Sequence, residues 1–373
     1  MTMRIGFVGW RGMVGSVLMQ RMQEEGDFDG LEASFFSTSQ AGKPAPEVGA
    51  NGPATIAGAN DIDLLSKNDV LVTCQGGDYT NAVYPELRKS GWKGYWVDAA
   101  SALRMQNDAR IILDPVNRSV IDAALHAGVK NYIGGNCTVS LMLMGIAELL
   151  RRDLVEWISV MTYQAASGAG ATKMRELALQ MRMLGGAPGA ELDNPAALIL
   201  DIDKSIQSTF LQGDFPVAEI GAPLAGSLIP WIDKPMENGQ TKEEWKGMAE
   251  TNKILGLERS PVPVDGLCVR VGAMRSHSQG LTVKMKRDVP LDEIEGIIAE
   301  STEWTEIVPN TKEATLKRLS PAAVSGSLQV TVGRIRKLAM GGDYLTLFTV
   351  GDQLLWGAAE PLRRMVRILR ERS

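Results

Sequence analysis

Cys137 stands in Gly134-Gly-Asn-Cys-Thr-Val-Ser, a glycine-rich approach that runs into an apolar helix pattern from about Val139 to Leu150. A thiol at a helix start meets unpaired N–H groups and the positive end of the helix dipole. Both favour a thiolate, and the N–H groups could stabilise an oxyanion formed on attack at a carbonyl. Asn136 or Thr138 can cap that helix. The expectation is a nucleophilic cysteine whose pKa lies below the ordinary ~8.5. Cys74 and Cys268 fall within apolar, strand-like runs and read as buried packing residues. The chain has two histidines. His126 sits in a helix-like Ala-Ala-Leu-His-Ala segment and looks peripheral, which leaves His277, between two serines, as the expected proton-transfer partner.

A second chemistry-bearing pattern opens the chain. Arg4-Ile-Gly-Phe-Val-Gly is a short apolar run ending in glycine, and Val14 to Met22 then carries apolar residues at helical spacing. The intervening Gly9, Gly12 and Gly15 are spaced G-x-x-G-x-x-G, which differs from the more familiar G-x-G-x-x-G. The physics is shared: glycines permit a sharp strand-to-helix turn, and the helix N-terminus offers N–H groups to a pyrophosphate. The stretch expected to end the second strand, Phe35-Phe-Ser-Thr-Ser-Gln40, contains hydroxyls and no acid. An acid there would bind a free ribose 2'-hydroxyl and repel a 2'-phosphate. With Arg11 in the first turn, the pattern predicts NADP rather than NAD, although the residues alone also allow a polar turn unrelated to the cofactor.

The elements that must position these groups follow from periodicity. Apolar runs at Ala33–Phe36, Asp69–Thr73, Tyr95–Val97 and Arg110–Leu113 alternate with helical or loop-like stretches, which predicts a parallel sheet. Gly134-Gly-Asn breaks that pattern. Beyond it, Ser159–Thr162, Leu267–Gly272 and Leu281–Met285 read as strands of a second sheet. The fold class expected is α/β: a Rossmann-like dinucleotide-binding domain over residues 1–134, completed by a C-terminal helix at 355–373, and a second, α+β domain with a mixed sheet over 135–354, which the resemblance described below would make the catalytic and dimerisation domain. Gly186–Pro195 and Gly221–Gly239 read as loops, and Val350–Leu369 as a basic amphipathic helix. Arg270 and His277 are an odd number of residues apart, so a straight strand would turn them to opposite faces. A bulge or break near Gly272 is therefore required if both serve one site.

Composition bounds the partners. The 373 residues are 45% hydrophobic and 22% charged, enough for a sizeable core in two domains. A net charge of −5 provides no basic field for a polyanion, so nucleic acid is not an expected partner. No apolar run approaches the ~18 residues of a membrane span. The N-terminus lacks the pattern of a secretory signal, which makes the cytoplasm the expected location. Three cysteines without close spacing argue against a disulfide framework, and with so few histidines no metal site is expected.

Further motifs are Cys74-Gln-Gly-Gly-Asp-Tyr-Thr, Tyr163-Gln-Ala-Ala-Ser-Gly, Gly226-Ser-Leu-Ile-Pro-Trp-Ile, Glu243-Glu-Trp-Lys, Val264-Asp-Gly-Leu-Cys-Val-Arg and Gly351-Asp-Gln-Leu-Leu-Trp-Gly-Ala-Ala-Glu-Pro. With the two patterns above, they make the chain resemble, over essentially its whole length, the aspartate-β-semialdehyde dehydrogenases of the type found in Gram-negative bacteria. The resemblance implies a homodimer that interconverts 4-phospho-L-aspartate and L-aspartate 4-semialdehyde with NADP, through a cysteine thioester. The step lies early on the routes to lysine and diaminopimelate, methionine, threonine and isoleucine.

Carried over residue by residue, the resemblance makes Cys137 the nucleophile and His277 the acid/base. Gln164 and Arg270 would orient the substrate, and Glu243 would receive its α-ammonium. Arg104, Asn136 and Lys246 would hold phosphate. Gly9, Arg11, Gly12, Met13, Val14, Thr38, Ser39, Gln75, Ser167, Gly168, Pro195 and Gln353 would contact the cofactor. Taken without the resemblance, Arg104 is a charge in a polar loop after a strand, and Glu243 and Lys246 are spaced to form a helix-surface pair. A reductase for another acyl phosphate, such as N-acetylglutamyl phosphate, would keep the cysteine and histidine but need no acceptor for a free amine, so Glu243 discriminates. A dinucleotide-sensing protein with an inert Cys137 is the alternative from another class.

Overall fold

A computed structural model describes residues 2–372; Met1 and Ser373, the outer limits expected for the first domain and its closing helix, lie outside the described residues. Short apolar strands bounded by glycines and polar turns form the first sheet: β1 (Arg4–Val8), β2 (Glu32–Ser37), β3 (Ala57–Gly58), β4 (Val70–Thr73), β5 (Tyr95–Asp98), β6 (Ala109–Ile112) and β7 (Asn131–Gly134). Their order is β3-β2-β1-β4-β5-β7-β6, and all pairings are parallel. Every residue of β4 and β7 is buried, as expected of parallel strands covered on both faces. The order reverses between β1 and β4, the place where open α/β sheets leave a crevice at the carboxyl ends of their strands.

The second sheet comprises β8 (Val155–Gln164), β9 (Leu228–Ile229), β10 (Val264–Val271), β11 (Ser276–Met285), β12 (Thr305–Ile307), β13 (Val330–Leu338) and β14 (Gly341–Asp352). Its order is β12-β13-β14-β11-β8-β10-β9, with β8–β10 and β12–β13 parallel and the other pairs antiparallel. It is therefore mixed. The helix Cys137–Arg151 lies on one face of it, and Val139, Leu141, Met142, Leu143 and Ile146 share a core with Ile158, Val160, Leu281, Val283 and Leu347. On the opposite face of β8 and β10, Met161, Tyr163 and Leu267 are exposed.

Three expectations about element limits need correction. The helix expected over Val350–Leu369 begins later. Residues 350–352 complete β14, which is held on both edges by β11 and β13. Asp352 then ends the strand by accepting the Leu354 N–H, and a π-helical turn at Leu355–Ala359 leads into the helix Glu360–Arg370. Within the two stretches read as loops, Gly189–Asp193 forms a 3-10 turn and Leu228–Ile229 pairs with β10. The closing helix buries Leu362, Met365, Val366 and Leu369 with Ile5, Phe7 and Leu18 of the first sheet's layer. Its Arg363 is buried and held at 2.6 Å by Asp27 and 2.8 Å by Glu360, so the buried charge is paired.

Candidate active site

The glycine turn follows β1 directly. Gly9 has φ +73°, and a Cβ there would lie 2.6 Å from the carbonyl carbon of Cys74 at the end of β4. A Cβ on Gly15 would lie 2.2 Å from the Gly9 oxygen. Both positions therefore require glycine. Gly12 gives its N–H to Gly9 and offers no side-chain cap to the helix Met13–Glu24, whose first N–H groups stay open where Met13 and Val14 line a cleft of about 510 Å³. An uncapped helix start beside a bare turn fits the pyrophosphate of a dinucleotide. After β2, the Ser37 hydroxyl accepts the N–H groups of Ser39 and Gln40, which shapes a turn lined by hydroxyls. Arg11, Thr38, Ser39 and Gln75 are exposed around the ends of β1, β2 and β4, outside the residues that line the cleft itself. Pro195 is exposed on the segment between the 3-10 turn and the helix Ile199–Phe210.

Cys137 opens its helix because Asn136 caps it. The Asn136 Oδ1 accepts from the N–H groups of Thr138 and Val139 at 3.1 and 3.2 Å. The Asn136 Nδ2 donates to Glu243, and its backbone N–H donates to Glu250 at 2.7 Å. Gly357 leaves room for the cysteine, since a Cβ there would stand 2.8 Å from the Cys137 Cβ. The Sγ lies 3.2 Å from His277 Nε2. The expectation of a lowered thiol pKa is not met. Burial, and next the Glu243 carboxylate, push the thiol up to about 12. A helix dipole contributes roughly 0.3–1 kcal/mol, whereas a pKa unit is worth about 1.4 kcal/mol and desolvation of a buried anion moves it by several. Desolvation wins.

His277 is fully buried near the start of β11, opposite Gly351 of β14. Its Nδ1 accepts the Ala165 N–H at 2.9 Å, and burial, then Arg270, hold the imidazole down to about 3. The Ala165 carbonyl accepts from Arg270 Nη1 at 2.7 Å. One residue thus fixes both side chains. Gly168 lies against them, since a Cβ there would come within 3.1 Å of each. The odd spacing of Arg270 and His277 is resolved by the break between β10 and β11 at residues 272–275. The two strands flank β8, with Arg270 opposite Gln164 and Ser278 opposite Tyr163. Gln353 donates to Ser167, which donates to the Arg275 carbonyl and joins the two ends of the site.

A polar cluster faces the cysteine. Glu243 Oε1 accepts from Asn136 at 3.0 Å and Gln164 at 3.2 Å, while Oε2 meets Lys246 at 2.9 Å. Lys246 is also held at 2.9 Å by Asp233. Burial alone would raise the Glu243 pKa, but Lys246 and the amide donors outweigh it and hold the carboxylate ionised. Arg104 donates to the Gly134 carbonyl and pairs with Glu250, both at 2.8 Å, in a buried position. Arg104, Asn136, Cys137, Gln164, Ser167, Gly168, Glu243, Lys246, Arg270 and Gln353 all line the one cleft, so the second face of Glu243 and Lys246 is not a solvated helix surface.

Sequence reasoning missed Asp233, Glu250, Gly357 and the backbone of Ala165. Glu250 had a signal, lying seven residues after Glu243 and therefore on the same helix face. Gly357 and Ala165 lay within quoted motifs that marked their stretches but not their contacts, and Asp233 had no signal. Among the described residues, no group of three or more His, Cys, Asp or Glu side chains is placed to hold a metal ion, and no helix is long and apolar enough to cross a membrane.

The site joins a thiol, a histidine that faces it, a buried arginine and a buried acid to a glycine turn at a helix start. Residues 4–124 match the family model "Semialdehyde dehydrogenase, NAD binding domain", and residues 146–356 match "Semialdehyde dehydrogenase, dimerisation domain". The solved aspartate semialdehyde dehydrogenase from Francisella tularensis is 47% identical, with TM-score 0.92, covering 99% of this chain and 100% of its own. Aspartate semialdehyde dehydrogenase II from Vibrio cholerae, solved complexed with ASA, shares the fold at 23% identity and TM-score 0.78, covering 100% and 99% of the two chains. The enzyme from Candida albicans, solved with NADP, does so at 15% identity and TM-score 0.66, again over 100% and 99%. This chain belongs to the aspartate-semialdehyde dehydrogenase family and is an NAD(P)-dependent oxidoreductase.

Proposed function

We propose that the chain converts L-aspartate 4-semialdehyde and inorganic phosphate to 4-phospho-L-aspartate, reversibly and with NADP, as a step of amino-acid biosynthesis. The observation that carries this reading is the 3.2 Å contact of Cys137 with His277 in a cleft that also presents Arg270 and Glu243. Arg270 suits the α-carboxylate because its planar fork binds carboxylates by two parallel bonds. Glu243, kept ionised and buried, is the acceptor for the α-ammonium, which an acyl-phosphate reductase for an N-acylated substrate would not need. Gln164, held between Thr162 and Glu243, orients the substrate.

In the oxidative direction the Cys137 sulfur bonds to the aldehyde carbon as the carbonyl π bond opens, the thiol proton passes through His277 to the new oxygen, and that proton is released again through His277 as the carbon gives up its hydride. The bound nicotinamide supplies the hydride acceptor for that carbon. The resulting thioester on Cys137 is cleaved by phosphate brought in by Arg104, Lys246 and the Asn136 amide, and the thiolate leaves.

The preference for NADP rests on the hydroxyl-lined turn at Ser37–Ser39, where an acid would repel a 2'-phosphate, and on the exposed Arg11 of the glycine turn. Gly9, Gly12, Met13, Val14, Thr38, Ser39, Gln75, Ser167, Gly168, Pro195 and Gln353 complete the proposed cofactor contacts. We also propose that residues 1–134 with 355–373 form the cofactor domain and 135–354 the catalytic and dimerisation domain. The open face bearing Met161, Tyr163 and Leu267 suits pairing with a second copy, and the free thiols suit a reducing cytoplasm.

The test is NADPH formation, followed by absorbance, from L-aspartate semialdehyde with and without phosphate, repeated with NAD. Cys137→Ser should abolish turnover while cofactor binding persists; a Ser variant that still turns over, or a rate indifferent to phosphate, overturns the reading. Leu267→Glu should yield monomers in sedimentation if the open face is the dimer contact.

A further inference from the structure

Lys246 is held by two carboxylates, and they are not equivalent. Glu243 is buried on the same helix, and its other oxygen is anchored by Asn136 and Gln164, which stand at a helix start and a strand end. Asp233 comes from the irregular stretch between β9 and the helix Lys242–Leu255, with exposed neighbours at Trp231, Lys234 and Pro235. Its side chain is 28% exposed against 7% for Glu243. Asp233 is also one of three non-glycine residues with positive φ among the described residues, at +73°, and the only one of them lining the cleft. Its backbone carbonyl accepts the Trp231 indole N–H, and its Oδ1 accepts the Lys234 N–H, so this otherwise disfavoured conformation is fixed with Oδ2 on Lys246.

Lys246 between two carboxylates carries a local charge of minus one, which repels a phosphate dianion. Two of the three ammonium N–H groups are taken by carboxylates, so phosphate meets Lys246 with its full charge only when one carboxylate gives way, and the anchored Glu243 is the one that stays. Arg104 has the same kind of partner in Glu250, but that pair is buried on both sides and Glu250 also holds the Asn136 N–H. It is a fixed feature of the pocket. Asp233 is the exchangeable one.

We propose that Asp233 is a positioning residue that occupies Lys246 in place of phosphate, keeps the ammonium aimed into the cleft, and sets the apparent affinity for phosphate by having to be displaced. This rests on the reading that Lys246 holds phosphate. Asp233→Asn keeps the shape and removes the charge; Asp233→Gly removes the side chain in a residue suited to positive φ. Both should lower the KM for phosphate by about three- to tenfold, the range expected when a half-exposed ion pair of roughly 1 kcal/mol no longer competes. The KM for the aldehyde should move less than about twofold, a split that a general loosening of the site would not produce. Inorganic phosphate should protect Cys137 from alkylation at correspondingly lower concentration in both variants, a readout independent of turnover.

A phosphate KM that is unchanged or raised in both variants overturns the proposal. Lys246→Ala separates the two levels. If it raises the phosphate KM while the Asp233 variants do not lower it, only the role of Asp233 falls. If Lys246→Ala leaves the phosphate KM unchanged, the reading of Lys246 as a phosphate ligand falls and Asp233 with it.

Discussion

The backbone N–H of Ala165 donates to Nδ1 of His277 across 2.9 Å. A neutral imidazole has one donor and one acceptor nitrogen, so this bond places the ring proton on Nε2, the atom 3.2 Å from Cys137 Sγ. His277 therefore faces the sulfur as a donor. On the proposed reading it relays the thiol proton to the oxygen of the adduct, and with the ring neutral it does not hold the resting sulfur as a thiolate. His277→Asn should lower kcat by about 100- to 10,000-fold, the range for loss of a positioned proton donor. Alkylation of Cys137 at pH 8 should change by less than about threefold. A variant in which alkylation collapses together with turnover would return His277 to the role of base.

The thiol itself makes a pH prediction. Burial and the Glu243 carboxylate push Cys137 up to about 12, so the thiolate fraction of the free enzyme rises throughout the neutral range. The alkylation rate should climb roughly tenfold per pH unit between pH 6 and 9, without the plateau of an activated cysteine. Glu243→Gln removes the nearby anion, lowers the thiol pKa and should speed alkylation at pH 7.5 by about threefold or more. On the proposed reading, a substrate ammonium at Glu243 would act in the same direction and couple activation of the thiol to the arrival of the substrate. A plateau near pH 7, or slower alkylation in the variant, contradicts this account.

How much of this could be read from residues alone depends on what fixed each feature. The glycine turn, the strand–helix alternation and the start of the Cys137 helix are local consequences of glycine freedom and apolar period, and they were legible. Arg270 and His277 required only the recognition that their odd spacing demands a chain break. The helix expected from Val350 failed because pairing of β14 with β11 and β13 overrode a local pattern. Asp233 and Gly357 were illegible for another reason: one acts through a backbone conformation, the other through the absence of a side chain against a residue 220 positions away, counted from Cys137 to Gly357. The thiol pKa departs from the sequence expectation because burial depth is a tertiary property.

Gly357 offers a direct test of that long-range fit. A methyl group there would meet the Cys137 Cβ at 2.8 Å and its Cα at 3.1 Å, both part of a helix start that cannot swing aside as a flexible side chain could. Gly357→Ala should move the sulfur away from His277 and lower kcat by about tenfold to 100-fold, since a displacement near 1 Å is enough for such losses. NADP binding, measured by fluorescence titration, should remain, and circular dichroism should report an intact fold. Unaltered kcat would show that the close approach has no catalytic consequence.

Asp98, at the end of β5, carries a prediction about stability. The carboxylate is fully buried, accepts from Thr80, Trp96 and the Ala100 N–H, and has its pKa raised to about 6, by burial above all. A carboxyl whose folded pKa exceeds its unfolded value favours the native state when protonated. Its stabilising contribution is complete below the unfolded pKa, near 4, and is lost as pH rises through about 6. Asp98→Asn cannot ionise, so its stability relative to the parent should improve on going from pH 4 to pH 8, by an amount on the order of 3 kcal/mol from a shift of about two units. The absolute effect at either pH also contains the hydrogen bonds that an amide oxygen alone cannot all accept, and for that reason the informative quantity is the change in the difference with pH. Urea unfolding of both proteins at the two pH values measures it. A difference that stays constant, or that moves the other way, would mean that Asp98 does not titrate near 6 in the folded chain.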